Sequence, residues 1–252
     1  MDKEYNGSFY DAQVNTSLQS AQQMVPYIFE IIKPESIIDV GCGLGTWLSV
    51  FRQLGAKEIK GIDGSWVDQS RLLIPSECFS SLDLKEISQL EIDKKFDIAM
   101  SLEVAEHLNE SEAESLVKSL TNMSDVVLFS GAIPYQGGTH HINEQWHSYW
   151  IDLFRKNGFE VLDCLRGKFW NNPKVSYFYA QNAFIFYNEN KVDRPGFEIP
   201  LMPFNCVHPQ RYSQLAEFVW VDTSSLMLEL VNRFKKATIG RIINRLKRKD
   251  FM

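Results

Sequence analysis

Two carboxylates and a histidine stand close together in the segment 103–108. If this segment opens a helix, Glu103, Glu106 and His107 occupy positions i, i+3 and i+4 and share one face over one turn. A group of this composition suits two kinds of chemistry. It can take a proton from a substrate as a general base, or it can bind a divalent cation through carboxylate and imidazole atoms.

Two further histidines, His140 and His141, lie in the segment 132–146, which also contains the pair Gly137-Gly138. Paired glycines predict a mobile loop, and loops often carry functional residues. Histidine titrates near neutral pH, so either side chain can serve as a base or as a metal ligand. The alternative is a structural histidine that only caps the helix after the loop.

An apolar strand and a glycine-rich turn precede both segments. In the run 37–47 the glycines Gly41, Gly43 and Gly45 alternate, and a helix is predicted from Thr46. Glycine tolerates positive φ and has no Cβ, so a ligand can lie directly against such a turn. The third glycine comes one residue too early for a dinucleotide-binding turn, and the absence of Gly-Lys-Ser/Thr excludes a P-loop. The turn therefore predicts a site for another nucleoside-type cofactor.

The turn and the acids after it resemble the class I S-adenosylmethionine (SAM) dependent methyltransferases over roughly residues 20–190. Asp39 before the glycines matches the first motif of that family. Asp63 ends the next predicted strand and is placed to accept both ribose hydroxyls. The resemblance implies that Asp83 contacts the adenine amino group and that the strand ending at Glu103 lies beside the methyl group. The cofactor-binding residues that it implies are Asp39, Gly41, Gly43, Gly45, Trp47, Asp63, Gly64, Asp83, Leu84, Ser101 and Glu103.

The same resemblance bears on the catalytic candidates. Glu-x-x-Glu-His with a later histidine is similar to the divalent-metal site of small-RNA 2′-O-methyltransferases and of polyprenyl catechol O-methyltransferases. The stretch is also widespread in methyltransferases, where it supports the cofactor pocket and the fold, so the sequence slightly favours a metal-free base. The implied catalytic residues are Glu106, His107 and His141, and the implied ligands of Mn²⁺ or Mg²⁺ are Glu103, Glu106, His107, His140 and His141.

The pattern Gly-Gly-Thr-x-His-x-Asn-Glu-Gln-Trp over residues 137–146 resembles methyltransferases of bacterial surface and capsular polysaccharide pathways. This resemblance implies His141 as the preferred base or ligand, with His140 second. We therefore predict methyl transfer to an oxygen of a small polar acceptor, either a saccharide or capsule precursor or its phosphoryl or phosphoramidate group. The alternatives are a metal-dependent O-methyltransferase of a non-sugar molecule, a catalytically silent SAM-binding subunit, and a nucleotide-dependent dehydrogenase or epimerase.

Strands alternate with helices along the chain, which predicts a Rossmann-like, doubly wound α/β fold with a mostly parallel seven-stranded sheet. The predicted helices are 18–32, 46–54, 111–120 and one capped by Asn143 with Trp146 on its buried face. The last two predicted strands, 159–165 and 177–187, form an antiparallel hairpin at the sheet edge in the resembled family.

The length of 252 residues suits one domain and an extension. We predict a SAM-dependent methyltransferase domain over 1–189 with an N-terminal helical segment 1–35, a Pro-rich linker or flap over 190–222, and a basic C-terminal helix over 223–252. The four cysteines lack paired spacing, and neither a signal peptide nor an apolar run of roughly 20 residues is present. These features predict a cytoplasmic protein with free thiols.

The charge is unevenly distributed. Residues 231–252 carry eight basic side chains and one acid, Asp250, while the whole chain has a net charge of −6. The part of the chain before residue 231 is therefore acidic, which argues against a nucleic-acid partner and favours a small-molecule acceptor. The basic end is either a solvated helix or a surface for an anionic membrane, at its inner face, or for a protein partner. The oligomeric state stays open.

Overall fold

The computed structural model describes residues 7–192, 203–217 and 227, in which strands and helices alternate. The strands are β1 (Ser36–Val40), β2 (Glu58–Asp63), β3 (Phe79–Ser81), β4 (Ile98–Leu102), β5 (Val126–Ser130), β6 (Phe159–Leu162) and β7 (Phe184–Asn188). The helices are α1 (Gly7–Ile32), α2 (Thr46–Gln53), α3 (Glu110–Met123), α4 (His147–Lys156), α5 (Leu165–Phe169) and α6 (Tyr177–Asn182).

The seven strands form one sheet in the order β3-β2-β1-β4-β5-β7-β6. Strands β1 to β5 pair in parallel, and β7 runs antiparallel between β5 and the edge strand β6. The doubly wound, mostly parallel sheet with an antiparallel edge is thereby confirmed. The strand order reverses at β1, which lies between β2 and β4. In open α/β sheets the crevice at the carboxyl ends of such strands binds the ligand.

Both faces of the sheet are covered, because successive strand residues point to opposite sides. Ile37 of β1 belongs to a core cluster with Met24 of α1 and Phe51 of α2. Ile38, its neighbour, belongs to a second cluster with Leu116 of α3 and Phe154 of α4. Burial on both faces explains the near-continuous apolar runs of the inner strands.

The predicted strand over 177–187 is wrong in its first half. Residues Tyr177–Asn182 form helix α6, and β7 begins only at Phe184. The aromatic run has high β-propensity, but propensity yields to packing. Tyr179 stacks edge-on with Trp47 at a centroid distance of 5.1 Å, which a helical turn permits. The strand predicted over 159–165 ends at Leu162, and α5 follows it.

The helix predicted to be capped by Asn143 also starts at a different residue. Helix α4 starts at His147 with Trp146 as its N-cap, so Asn143 does not cap it. The backbone amide of Asn143 instead donates to the carbonyl oxygen of Glu106 at 3.0 Å, which keeps the loop extended beyond residue 143. Trp146 is consequently half-exposed before the helix and not on its buried face.

The chain divides into two compact units between His208 and Pro209. In the first unit, residues 203–208 pack on the sheet domain, where buried Arg166 donates to the carbonyl oxygens of Pro203 and Phe204. In the second unit, residues 209–217 are helical. The predicted basic helix over 223–252 lies outside the described residues except for Met227. Among the described residues, no helix has the length and apolar composition to cross a membrane.

Candidate active site

The glycine turn after β1 is tightly packed at its first and third glycines and open at its second. Gly41, Gly43 and Gly45 have φ values of 86°, 53° and 76°. A Cβ at Gly41 would lie 2.4 Å from Val104, and one at Gly45 would lie 2.8 Å from Ile74. A Cβ at Gly43 would meet nothing within 4 Å. Gly43 is therefore the point at which a ligand can approach the main chain.

Asp63, at the carboxyl end of β2, holds this turn in place. Its Oδ2 accepts a hydrogen bond from the backbone amide of Gly43, and its Oδ1 accepts one from that of Gly64, each at 2.7 Å. Burial raises the pKa of Asp63, and these two bonds together with one from Trp66 oppose the rise. Burial and, secondarily, Asp63 raise the pKa of Asp39 well above its usual range. Two acids thus lie close together at the crevice.

The next two predicted cofactor residues, Asp83 and Leu84, begin a 3₁₀ helix over Leu84–Gln89. Asp83 is exposed, and its Oδ1 accepts a hydrogen bond from the backbone amide of Lys85 at 3.0 Å. Leu84 is buried in the core. The carboxylate therefore stabilises the start of the 3₁₀ helix.

Two of the predicted cofactor residues are fully enclosed by protein. Trp47, in the first turn of α2, is buried against Tyr179. Ser101 lies inside β4, where its hydroxyl finds no hydrogen-bond partner among the described residues. Both side chains therefore belong to the packed interior beside the glycine turn and β4.

The segment after β4 is not the helix that the spacing predicted. Glu103 has a φ of 55°, and the chain then forms a single 3₁₀ turn over Ala105–His107. A backbone in the left-handed region cannot continue a right-handed helix. The three candidate side chains therefore do not share one helical face.

Glu103 is held by amide side chains from distant parts of the sequence. Its Oε2 accepts from Nε2 of Gln136 at 2.7 Å, and its Oε1 accepts from Nδ2 of Asn182 at 3.1 Å. Its backbone amide donates to Ser130. Burial raises the pKa of Glu103, while these hydrogen bonds lower it. Both carboxylate oxygens are engaged, which distinguishes Glu103 from a free metal ligand.

Glu106, His107 and His141 come together as a compact group. One possible ligand atom from each lies within 4.8 Å of the others. The imidazole rings of His107 and His141 meet edge to face with centroids 4.8 Å apart. His140 is exposed, has a φ of 61° and does not belong to this group. Of the five predicted metal ligands, the structure thus brings three together.

Glu106 is fully buried, and neither of its oxygens has a well-formed hydrogen bond to the described residues. Burial and then the nearby Glu103 raise the pKa of Glu106 well above its usual range. The backbone amides of Glu106 and Ala132 oppose this rise without making well-formed bonds. Burial and then His141 lower the pKa of His107. A buried carboxylate without a well-formed hydrogen bond, next to two imidazole rings, is a donor set for a divalent cation.

The loop 131–146 closes over this group. Its backbone amides at Ile142 and Asn143 donate to the carbonyl oxygen of Glu106 at 2.9 and 3.0 Å. Nδ1 of His141 lies 2.9 Å from Oε1 of Glu144. Glu144, Gln136 and Asn182 were not among the predicted site residues. Glu144 is part of the loop motif at residues 137–146 and could have been identified from it. Asn182 comes close to Glu103 only through the fold, so no sequence motif marks it.

The chain is similar to known methyltransferases in part of its sequence. A family model described as a methyltransferase domain matches residues 10–130. The ubiquinone biosynthesis O-methyltransferase of Rhodopseudomonas palustris strain BisB5 is 34% identical over 86 residues, covering 31% of this chain and 31% of the relative. That of strain BisB18 is 32% identical over 83 residues, covering 29% and 30%. The matches thus span less than a third of either curated relative.

Solved structures share the fold over most of this chain. An O-methyltransferase family protein from Burkholderia thailandensis has a TM-score of 0.54 at 15% identity, covering 71% of this chain and 58% of its own. A SAM-bound amino pentose methyltransferase from Micromonospora echinaspora has a TM-score of 0.54 at 12% identity, covering 75% and 99%. At these identities the likeness concerns the fold. Residues 10–130 of the chain therefore match the methyltransferase domain. The sheet domain as a whole has the fold of these methyltransferase structures.

Proposed function

We propose that this protein transfers the methyl group of SAM to an oxygen of a small polar acceptor. The observation that carries the proposal is the meeting of two features at the carboxyl ends of the parallel strands. One is the glycine turn with its open position at Gly43, anchored by Asp63. The other is the group formed by Glu106 and His107 after β4 and by His141 in the loop after β5. The two curated relatives are named as O-methyltransferases, which supports oxygen as the target.

The glycine turn fits the cofactor. Gly43 leaves room for a ligand at the main chain, and Asp63 retains lone pairs that can accept ribose hydroxyls. SAM supplies an activated methyl group on a sulfonium. The chain's contribution is to hold that group in line with the acceptor oxygen, since orientation alone can supply several kcal/mol of the barrier.

The acceptor hydroxyl must lose its proton, and the group of Glu106, His107 and His141 is placed to assist. These residues fit a divalent cation because Glu106 is buried without a hydrogen-bond partner among the described residues. Mixed carboxylate and imidazole ligands suit Mn²⁺, Fe²⁺ or Zn²⁺. A bound cation would lower the pKa of the acceptor hydroxyl. The second candidate is a metal-free base, favoured by the contact of His141 Nδ1 with Glu144, which leaves Nε2 to take the proton.

The acceptor that we propose is a saccharide or a capsule precursor. Tyr135, Ile142 and Trp146 are exposed on the loop that carries His141. Aromatic side chains with an exposed face and a polar tip suit ligands that combine apolar and polar surface, as sugar rings do. The loop motif resembles proteins of surface and capsular polysaccharide pathways. A metal-dependent transfer to a non-sugar small molecule is the alternative, supported by the curated relatives' names.

The proposal is tested by following methyl transfer from isotope-labelled SAM to a panel of nucleotide sugars, sugar phosphates and catechols. The proposed activity gives a labelled O-methyl product with one of the sugar acceptors. Chelator treatment should abolish turnover while leaving binding of S-adenosylhomocysteine (SAH) intact, and added Mn²⁺ should restore it. Turnover with catechols alone would select the non-sugar alternative. Full turnover in chelator would select the metal-free base.

Replacing Gly138 by Ala should disrupt the cation site without touching a ligand. A Cβ at Gly138 would lie 2.2 Å from Nε2 of His141. Displacing the imidazole should weaken Mn²⁺ binding by about tenfold or more, the range seen when groups that orient a ligand are lost. Calorimetric titration of Mn²⁺ measures this.

Gly158→Ala is the matched control for this prediction. Gly158 has a φ of 80° and open space around its missing Cβ, and it lies at the end of α4. This variant should lose some stability but keep its Mn²⁺ affinity. Equal Mn²⁺ affinities of the Gly138→Ala variant and the unmodified protein would show that His141 is not a ligand.

A further inference from the structure

The carboxylate of Glu144 gathers three hydrogen bonds within the loop that carries His141. Its Oε1 accepts from the backbone amide of Gly137 at 2.7 Å and lies 2.9 Å from Nδ1 of His141. Its Oε2 accepts from the backbone amide of Tyr135 at 2.7 Å. A carboxylate has only acceptor sites, so the ring nitrogen that faces it must be the donor. His141 therefore carries a proton on Nδ1.

The three bonds also hold a loop whose backbone is locally unfavourable. Tyr135 and His140 have φ values of 65° and 61°, a region that costs non-glycine residues of order 1 kcal/mol or more each. Gly137, between them, has a φ of 71°. Because two of the amides that Glu144 binds lie in this stretch, the carboxylate links the loop conformation to the orientation of the imidazole.

We propose that Glu144 is a positioning residue that fixes His141 as the Nδ1–H tautomer and keeps Nε2 free for the cation or the acceptor proton. The inference deepens the proposed function and rests on it. Imidazoles that bind metals or take protons are commonly held by a hydrogen bond from their other nitrogen to a carboxylate, which sets the tautomer and raises basicity. Gly138 lies against the Nε2 side of the ring, where a Cβ would come within 2.2 Å of that nitrogen, so glycine is needed for the ring to keep this position.

The variant Glu144→Gln separates this role from simple packing. Glutamine keeps the size of the side chain but replaces one acceptor oxygen with an NH₂ group. That group must face either the amide of Tyr135 or the side occupied by Gly137 and His141. In the second case it donates to Nδ1, and His141 must move its proton to Nε2. Glu144→Asp keeps the charge, so this variant should retain the Nδ1–H tautomer at least in part.

The test is a long-range ¹H–¹⁵N NMR spectrum of metal-free protein labelled at histidine nitrogens, recorded about two pH units above the ordinary histidine pKa of about 6.5. The chain has five histidines, and the His141 signals are assigned by their loss in His141→Gln. We expect the Nδ1–H tautomer in the unmodified protein and in Glu144→Asp. We expect the Nε2–H tautomer or a mixture in Glu144→Gln.

Two controls keep the outcome clear. Glu160→Gln removes an exposed carboxylate that pairs with Arg155, and it should leave the His141 signals unchanged. The buried His147, which contacts Asn182, reports whether each variant is folded. If Glu144→Gln does not fold, the tautomer in Glu144→Asp and in the unmodified protein decides. An Nε2–H tautomer in the unmodified protein overturns the inference. If a folded Glu144→Gln variant keeps the Nδ1–H tautomer, its NH₂ group faces the amide of Tyr135, and Glu144→Leu, which removes both acceptor oxygens, decides. The Nδ1–H tautomer in a folded Glu144→Leu variant also overturns the inference.

A calorimetric titration of Mn²⁺ distinguishes the failure of this inference from the failure of the proposed function. The Glu144→Gln variant should bind Mn²⁺ about 10- to 100-fold more weakly than the unmodified protein, with SAH affinity unchanged. If the tautomer shifts as expected but neither protein binds Mn²⁺, Glu144 still positions His141 and the cation site is wrong. If Mn²⁺ binds equally to the unmodified protein and to a folded Glu144→Leu variant, and the tautomer is Nδ1–H in both, the positioning role is wrong and the cation site stands.

Discussion

Replacing Glu106 by Gln should lower methyl-transfer turnover by about 100-fold or more and leave the SAH affinity unchanged. Glu106 is the one carboxyl group in the cluster that it forms with His107 and His141, and a bound cation would hold it in the ionised form. Glutamine keeps its volume but removes the charge that would hold a cation or stabilise an imidazolium. Turnover is measured with labelled SAM and SAH binding by calorimetry. Glu114→Gln, an exposed position on α3, is the control and should behave as the unmodified protein.

The same variant should be at least as stable as the unmodified protein when metal is removed. Burial raises the folded-state pKa of Glu106 above its unfolded value. The protonated form therefore contributes stability that is fully present below the unfolded pKa of about 4.3 and is lost as the pH rises through the higher folded value. Melting temperatures near neutral pH should be equal or higher for Glu106→Gln. Unchanged turnover, or a marked loss of stability, would remove Glu106 from the proposed site.

Replacing Asp63 by Ala should weaken SAH binding by about 10- to 150-fold, corresponding to the loss of charged hydrogen bonds worth roughly 1.5 to 3 kcal/mol. The carboxylate is the proposed acceptor for the ribose and also holds the amides of Gly43 and Gly64. Asp63→Asn should be nearly as harmful, because its NH₂ group must face one of those two amides. Calorimetry with SAH measures both variants.

Asp68→Ala provides the control for the Asp63 variants, since Asp68 is exposed and its carboxylate accepts hydrogen bonds from Ser70 in its own turn. Its SAH affinity should equal that of the unmodified protein. A folded Asp63→Ala variant with unchanged SAH affinity would mean that the ligand of the glycine turn is held without Asp63. The turn would then be a packing feature of β1 and β2.

The parts of the fold that depend on local signals could be predicted from the sequence. The strand before Gly41 and the helix from Thr46 follow from an apolar run and the glycine spacing. Asp63 could be placed at the crevice because parallel strands end at the same edge. Its bond to the amide of Gly43 could not be foreseen, since it depends on the register of β1 against β2.

The errors lie where distant contacts override local preference. Glu103 was expected in a helix with Glu106, but bonds from Ser130 and Asn182 hold it in a left-handed turn. The helix at 177–182 was expected as a strand because its aromatic residues favour β structure. Asn143 was expected as a helix cap, but it binds the main chain of Glu106. The contacts of Glu103 and Asn143 join residues at least 27 positions apart. In the segment 177–182, packing determines whether the chain is a helix or a strand.

The central claim is that the crevice at Gly43 and Asp63 binds the methyl-donor cofactor. Calorimetric titration of the purified protein with SAH, and separately with NAD⁺, tests this claim most directly. We predict saturable binding of SAH that weakens by about tenfold or more in Asp63→Ala, with no binding of NAD⁺. Binding of NAD⁺ without binding of SAH would contradict it and identify a nucleotide-dependent enzyme of another class.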